Sequence, residues 1–215
     1  MKMPAHIVWD WNGTLLDDTE ACRSAINLLL RERGLPPVSL AAYRRDFGFP
    51  VREFYRRIGI VPDDEDWDAL ARRFHDLYLP QPVRVVPAAH RVVAGLARAN
   101  IPQSVLSACE QGLLDAQIAL HGFGGYFGWV QGSDNLDGGS KLSAGQVLLE
   151  RLGMAPDGVL LVGDTLHDAE VACRLGCACL LVADGHQSRE RLETAGCPVV
   201  DDLAGLRELL AGALP

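Results

Sequence analysis

The stretch "IVWDWNGTLLDD", Ile7 to Asp18, decides how the rest of the chain is read. It opens with three apolar residues in a row and runs straight into Asp10. An unbroken apolar run suits a strand covered on both faces, whereas a half-exposed strand alternates. Asn12, Gly13 and Thr14 then supply turn chemistry, and two more carboxylates follow at Asp17 and Asp18. The stretch poses two questions. One is what a carboxylate serves at the end of a buried strand. The other is why position 12 holds an acid's shape without its proton.

Three further runs share the character of "HIVWD": "QSVLS" (103–107), "GVLLVGD" (158–164) and "CACLLVAD" (177–184). Helical patterns lie between them. "AAHRVVAGLARAN" places Val92, Val93, Leu96 and Ala97 on one stripe after Pro87. "SAGQVLLERLG" reads as a helix with a serine cap at Ser143 and a glycine stop at Gly153, and "LHDAEVACRLG" stops at Gly176 in the same way. Strands alternating with helices predict an α/β fold built on a doubly wound, Rossmann-like parallel sheet. Residues 17–84 break the alternation with helical patterns separated at "GLPP", "GFP" and "VPDD". The expected organisation is therefore an α/β core from 1–16 and 85–215, with a small all-helical cap domain from 17–84. The tail "DDLAGLRELLAGALP" reads as a closing helix.

The chain has 215 residues, 48% of them hydrophobic and 22% charged, which allows one sizeable core and a small insert. A net charge of −8 argues against nucleic acid or an anionic membrane surface as a partner, because both need a basic face. No apolar run approaches the roughly 20 residues of a membrane span. Asp10 interrupts the short N-terminal apolar run, so no signal peptide is read there. A cytoplasmic protein, monomer or homodimer, is expected. Among the six cysteines, Cys173, Cys177 and Cys179 lie close in sequence. They lack a CxxC pair and fall partly in an apolar run, so they read as small buried residues rather than metal ligands.

Ligands of open α/β sheets bind outside the C-terminal ends of the strands. Here those ends carry Asp10, Ser107, Asp164 and Asp184. Each alone is an ordinary turn former. Three of the four are good candidates to meet in one site, together with Lys141 and Asp168.

At this level the sequence resembles the haloacid dehalogenase-like superfamily. "DWNGTLLDD" is similar to its first motif, DxDGT[LV]; "SVLSACE" to its second; Lys141 in "GGSKLSAGQVLLERLG" to its third; and "VLLVGDTLHDAEVACRLG" to its fourth, GDxxxD. "VVPAAHRVVAGL" resembles the segment that re-enters the core from a helical C1 cap. The architecture is closest to phosphoglycolate phosphatases of subfamily IA. The resemblance implies an Mg²⁺-dependent phosphatase acting on a small phosphorylated metabolite, with Asp10 as nucleophile forming an aspartyl-phosphate. It implies that Asp10, Asp164 and the backbone carbonyl of Asn12 hold the metal. Lys141 would neutralise phosphoryl oxygens, with Asp168 orienting it. Ser107, its neighbour Ala108, and backbone N–H groups near Gly13 and Thr14 would cradle the phosphate. Metal-free dehalogenation is disfavoured by the GDxxxD acids.

Position 12 departs from the pattern. The phosphatases carry an aspartate there as general acid and base, worth about 10²–10⁴-fold, and an amide cannot serve. Hydrolysis of substrates with good leaving groups, a proton from elsewhere such as His167, a non-hydrolytic binding or regulatory protein, and a phosphotransferase or mutase all follow as readings. Retention of Asp10, Ser107, Lys141, Asp164 and Asp168 favours a working phosphotransfer site. His167 itself reads as an exposed residue at a helix start, and Asp17 and Asp18 as a helix start. The cap arginines Arg44, Arg45, Arg52, Arg56 and Arg57 are candidate clamps for a substrate carboxylate or second phosphate. Phe47, Phe49, Phe54 and Tyr55 read as the cap's own core. "DGGSK" and "GFGGYFG" match neither a phosphate loop nor GxGxxG.

Overall fold

A computed structural model describes residues 3–61, 66–134 and 141–206. Its centre is β1 (His6–Trp9), buried at every position. The strand lies between β4 (Gln103–Glu110) and β6 (Val159–Gly163), parallel to both. Outside them run β5 (Trp129–Ser133) on one side, then β7 (Ala178–Val182) and β8 (Val199–Val200) on the other. The six-stranded order is β5-β4-β1-β6-β7-β8, and every pair is parallel.

Alternate residues of the central strands enter opposite apolar layers. Ile7, Trp9, Val105, Leu160 and Val162 pack with Val92, Val93 and Leu96 of α5 (Ala89–Arg98) and with Leu114 and Ile118 of α6 (Gln111–Leu120). Val8, Leu106, Val159 and Leu161 pack on the other face, with Leu148 of α7 (Lys141–Leu152) and Val171 and Ala172 of α8 (Leu166–Leu175). Two covered faces are why these strands show no polar alternation. Each fully buried aliphatic side chain contributes about 1.5–3 kcal/mol before entropy is counted.

The helical patterns of the insert form α1 (Thr19–Glu32), α2 (Leu40–Asp46), α3 (Val51–Arg57) and α4 (Trp67–Tyr78). Their own apolar cluster joins Ile26, Leu29, Leu30, Tyr43, Phe54, Tyr55, Ile60 and Leu70. A two-stranded antiparallel ribbon, β2 (Leu16–Asp17) with β3 (Arg84–Val85), stands where the chain leaves for these helices and returns. The insert is held to the loop after β7: Ser188 N–H donates to the Arg44 carbonyl (3.1 Å), and the Gln187 amide donates to the Phe47 carbonyl (2.9 Å).

Several expectations need correction. The ribbon, β5 and β8 were not foreseen. Helix α7 begins at Lys141, so Ser143 lies inside it rather than at the cap position. Gly153 and Gly176 do stop their helices, both with positive φ. The glycine-rich 122–128 segment is a loop leading into β5. Leu203 and Leu206 of the closing segment are fully buried, while residues 207–215 lie outside the described residues. So do Pro62, Asp63 and Asp64 of the "VPDD" break and most of "DGGSK".

Candidate active site

After β1 the chain turns to β4 and β5 on one side of the sheet, then crosses to β6, β7 and β8 on the other. Asp10 therefore sits at the topological switch point, where such sheets open a crevice. Its N–H donates to the Val162 carbonyl (2.8 Å), continuing the β1–β6 ladder. The next residues fold back sharply, with Leu15 and Leu16 N–H groups both donating to the Trp11 carbonyl (2.9 Å each). Gly13 takes φ +78°, and a Cβ there would collide with the Asp164 carboxylate and with Cδ2 of His186 (2.5 Å). Only glycine lets the turn pass this close to the acids.

The Lys141 ammonium bridges two carboxylates, Asp10 Oδ1 and Asp168 Oδ1, each at 2.5 Å. Asp168 also completes a capping box at the start of α8. Its Oδ2 accepts from the Thr165 N–H (3.0 Å) and hydroxyl (2.6 Å). Gly163 leaves room for that carboxylate, since a Cβ there would collide with it. The helix cap is thus Thr165, and Asp168 serves both the cap and the lysine. The Thr14 hydroxyl lies between the other two acids, 3.2 Å from Asp164 Oδ1 and 3.5 Å from Asp10 Oδ2. The backbone amide of Gly13, expected near the phosphate, instead donates to the Leu16 carbonyl (2.8 Å) and Asp18 Oδ1 (3.0 Å).

Ser107 is buried on β4. Its hydroxyl accepts from the Cys109 N–H (3.1 Å) and donates weakly to Asn12 Oδ1 (3.5 Å). Ala108 lines the cavity that opens above Asp10 and Lys141. The Asn12 amide nitrogen donates to Asp18 Oδ2 at 2.8 Å. Asp18 stands at the helix start, as its sequence position suggested, and its carbonyl accepts the first helical bond from the Cys22 N–H (2.8 Å), but its side chain serves the site. It makes no side-chain capping bond, and its fully buried carboxylate turns inward. There it accepts from Asn12, the Gly13 N–H, the Tyr78 hydroxyl (3.0 Å) and His186 Nε2 (3.1 Å). The other ring nitrogen of His186 meets the Tyr43 hydroxyl (2.8 Å), and its backbone N–H donates to Asp164 Oδ2 (2.6 Å). His186 follows a strand end two residues after Asp184, which is the signal that would have found it. Asp184 itself is exposed and faces Arg44. His167 is half-buried, not exposed, and stacks on Phe49 with centroids 4.6 Å apart.

The charges explain one another. Burial drives the Asp10 carboxyl well above its ordinary range, opposed by Lys141 and reinforced by Asp168 and Asp164. Burial likewise lifts Asp164 to about 6. Burial would raise Asp168 too, but Lys141 and the Thr165 hydroxyl outweigh it and leave Asp168 low. His186, which burial alone would keep neutral, is pushed up to about 9 by Asp18.

Among the described residues, four buried carboxylates (Asp10, Asp18, Asp164, Asp168) face two buried cations, Lys141 and His186. Oxygens of Asp10, Asp164 and Asp168 lie within 4.8 Å of one another. Asp168 is committed to Lys141 and Thr165, which leaves Asp10 and Asp164 with the least compensation. An all-oxygen pair short of positive charge fits a hard divalent cation such as Mg²⁺. Cys173 is exposed and Cys177 and Cys179 only half-buried, against the expectation that all three are buried, and the trio forms no such group among the described residues.

The sequence model of the family described as haloacid dehalogenase-like hydrolase matches residues 7–182. The chain belongs to that family. This haloacid dehalogenase-like hydrolase is 29% identical over 226 residues to a phosphoglycolate phosphatase of Rhodospirillum rubrum, covering 99% of this chain and 93% of the relative. It is 27% identical over 217 residues to a 5'-nucleotidase of Pseudomonas aeruginosa, covering 95% of each. Its fold matches a haloacid dehalogenase-like family protein from Streptococcus pneumoniae with a TM-score of 0.81 at 17% identity, over 96% of this chain and 98% of that one. No helix of the described residues is long and apolar enough to cross a membrane.

Proposed function

We propose that this hydrolase is an Mg²⁺-dependent phosphatase that cleaves a small phosphorylated metabolite through an aspartyl-phosphate on Asp10, in the manner of phosphoglycolate phosphatases. The observation that carries the reading is Lys141 held between Asp10 and Asp168, with Asp164 alongside, at the switch point of the sheet. Asp10 and Asp164, with the Asn12 carbonyl, would hold the metal, which when bound offsets the like charges of nucleophile and phosphate. Asp10 attacks phosphorus. Lys141, already poised 2.5 Å from Asp10, draws a phosphoryl oxygen to the same spot. Asp168 keeps the ammonium aimed, and the Ser107 hydroxyl donates to a second phosphoryl oxygen. Thr14 fixes the spacing of Asp10 and Asp164. Helices α1–α4 act as the cap that covers the site.

The test is phosphate release from a metabolite panel with and without Mg²⁺. Mg²⁺-dependent release should fall by at least 10³-fold in Asp10→Asn, whose amide is no nucleophile. No release from any substrate at saturating metal would sink the reading. Asn12 favours one second reading, transfer to an acceptor other than water, because the water-activating base of the motif is missing. In the same assay it yields a phosphorylated product in place of free phosphate.

A further inference from the structure

The space above Asp10 is more informative about the substrate than the site itself. A cavity of about 170 Å³ opens from Asp10, Asn12, Ser107 and Lys141 toward the helical insert. Its walls are aromatic, with Phe47, Phe49, Phe54, Trp67, Phe74 and Tyr78 among them. Its size suits one ring, since an apolar cavity of roughly 150 Å³ takes benzene.

The cavity is short of positive charge. Lys141 is the one lysine or arginine among the described lining residues, and it already serves two carboxylates. The insert's arginines line other surfaces. Arg44 donates to the Asp184 carbonyl, Arg45 pairs with Asp46, Arg56 with Glu53, and Arg52 lies over the Trp67 ring at 4.4 Å. Both ring nitrogens of His186 are engaged by Asp18 and Tyr43. Asp18 and Glu110, in contrast, both line the cavity. The two remaining imidazoles of the lining are held elsewhere, His75 Nδ1 by the Ala71 carbonyl (2.8 Å) and His167 by stacking on Phe49, so a carboxylate on the substrate, as in phosphoglycolate, would find no lysine or arginine clamp there beyond Lys141 and would face Asp18 and Glu110.

Leaving-group chemistry points the same way, independently of the cavity. Asn12 cannot protonate a leaving oxygen, and its amide is tied to Asp18. A phenolic oxygen leaves as an anion whose conjugate acid has a pKa of about 10, roughly six units below that of water. It needs no acid.

Resting on the phosphatase reading above, we propose that the substrate is an aryl phosphate monoester, its single ring held among the insert's aromatic side chains. Asp10 forms the new P–O bond, and the bond from phosphorus to the aryl oxygen breaks. The electron pair leaves on that oxygen as a phenolate, which takes its proton from solvent. Water then cleaves the aspartyl-phosphate, restoring the Asp10 carboxylate and leaving its protons on the released phosphate.

The experiment compares kcat/KM for phenyl phosphate, phosphoglycolate, glycerol phosphate and acetyl phosphate at saturating Mg²⁺. Phenyl phosphate should exceed phosphoglycolate and glycerol phosphate by at least tenfold. Phe49→Arg, which places a cation in the wall, should move the phenyl phosphate to phosphoglycolate ratio at least tenfold toward phosphoglycolate. A ratio is independent of how much of the variant is folded. Turnover of acetyl phosphate or phosphoglycolate with no aryl preference overturns the aryl assignment and leaves the phosphatase reading standing. No turnover of any of the four overturns the aryl assignment, and no release across the wider metabolite panel overturns the phosphatase reading as well.

Discussion

Asn12 is a fitted residue in this chain. Its amide nitrogen faces the buried Asp18 carboxylate at 2.8 Å, a place where a second carboxylate would stand charge to charge. An aspartate at 12 must therefore share one proton with Asp18. Holding that proton near neutral pH, well above the ordinary carboxyl range, costs stability, so Asn12→Asp should show a lower midpoint in thermal melts. The shared proton, however, gives the site an acid. Turnover of alkyl phosphates should rise more than turnover of aryl or acyl phosphates. An equal rise on all of them would count against a missing leaving-group acid. The Asp10, Ser107, Lys141, Asp164 and Asp168 positions were legible because each sits in a short motif at a strand end or helix start. Asp18 and His186 were not, because their pairing joins residues far apart in sequence and each alone looks like an ordinary terminus residue. The sequence could show that the proton was missing from position 12, but not that Asp18 was the reason an amide stands there.

Among the elements, α6 shows how local chemistry shapes the cavity wall. Glu110 ends β4 and caps α6, accepting from the Gly112 and Leu113 N–H groups at 2.9 Å each. Those bonds hold its carboxyl below the ordinary range. A depressed carboxylate stabilises the fold above its unfolded pKa, and that contribution is lost as pH falls through the lower folded value. Glu110→Ala should cost about 1 kcal/mol near neutral pH, and the gap from wild type should shrink as pH drops from 6 toward 3. A gap that stays constant across that range would remove the charge from the account. The strands divide by burial in the same physical terms. The central ones announce themselves by unbroken apolar runs. β5 is a half-exposed edge strand with the mixed sequence "WVQGS", and β2, β3 and β8 have two residues each, too short to show any period.

For the molecule as a whole, the deficit of positive charge at Asp10 and Asp164 predicts that metal binding is felt as stability. At a free Mg²⁺ concentration one hundred times Kd, binding to the folded state adds about 2.7 kcal/mol. For a chain of this size that raises the melting midpoint by roughly 5–11 °C, at ~2–4 °C per kcal/mol. A chelator should reverse the shift, and Asp164→Asn should abolish most of it. An unchanged midpoint across the full titration would leave the carboxylates without their proposed cation. The layered architecture was legible as a whole because alternation of strands and helices is a long-range pattern. The way α2 is held to the loop after β7 was not, because it rests on backbone carbonyls at Arg44 and Phe47 whose partners no side-chain pattern announces.

The tryptophans give the molecule an optical property of its own. Trp9 and Trp11 are wholly buried, their indole N–H groups held by Gln103 and Gln117. Trp129 is 44% exposed beneath Arg151 at the far edge of the sheet. Trp67 alone of the four forms part of the cavity wall. Emission from the first three should be indifferent to what enters, while that of Trp67 changes when a ring displaces water beside it. Occupancy of the cavity can thus be followed by the protein's own fluorescence, without turnover and without a label.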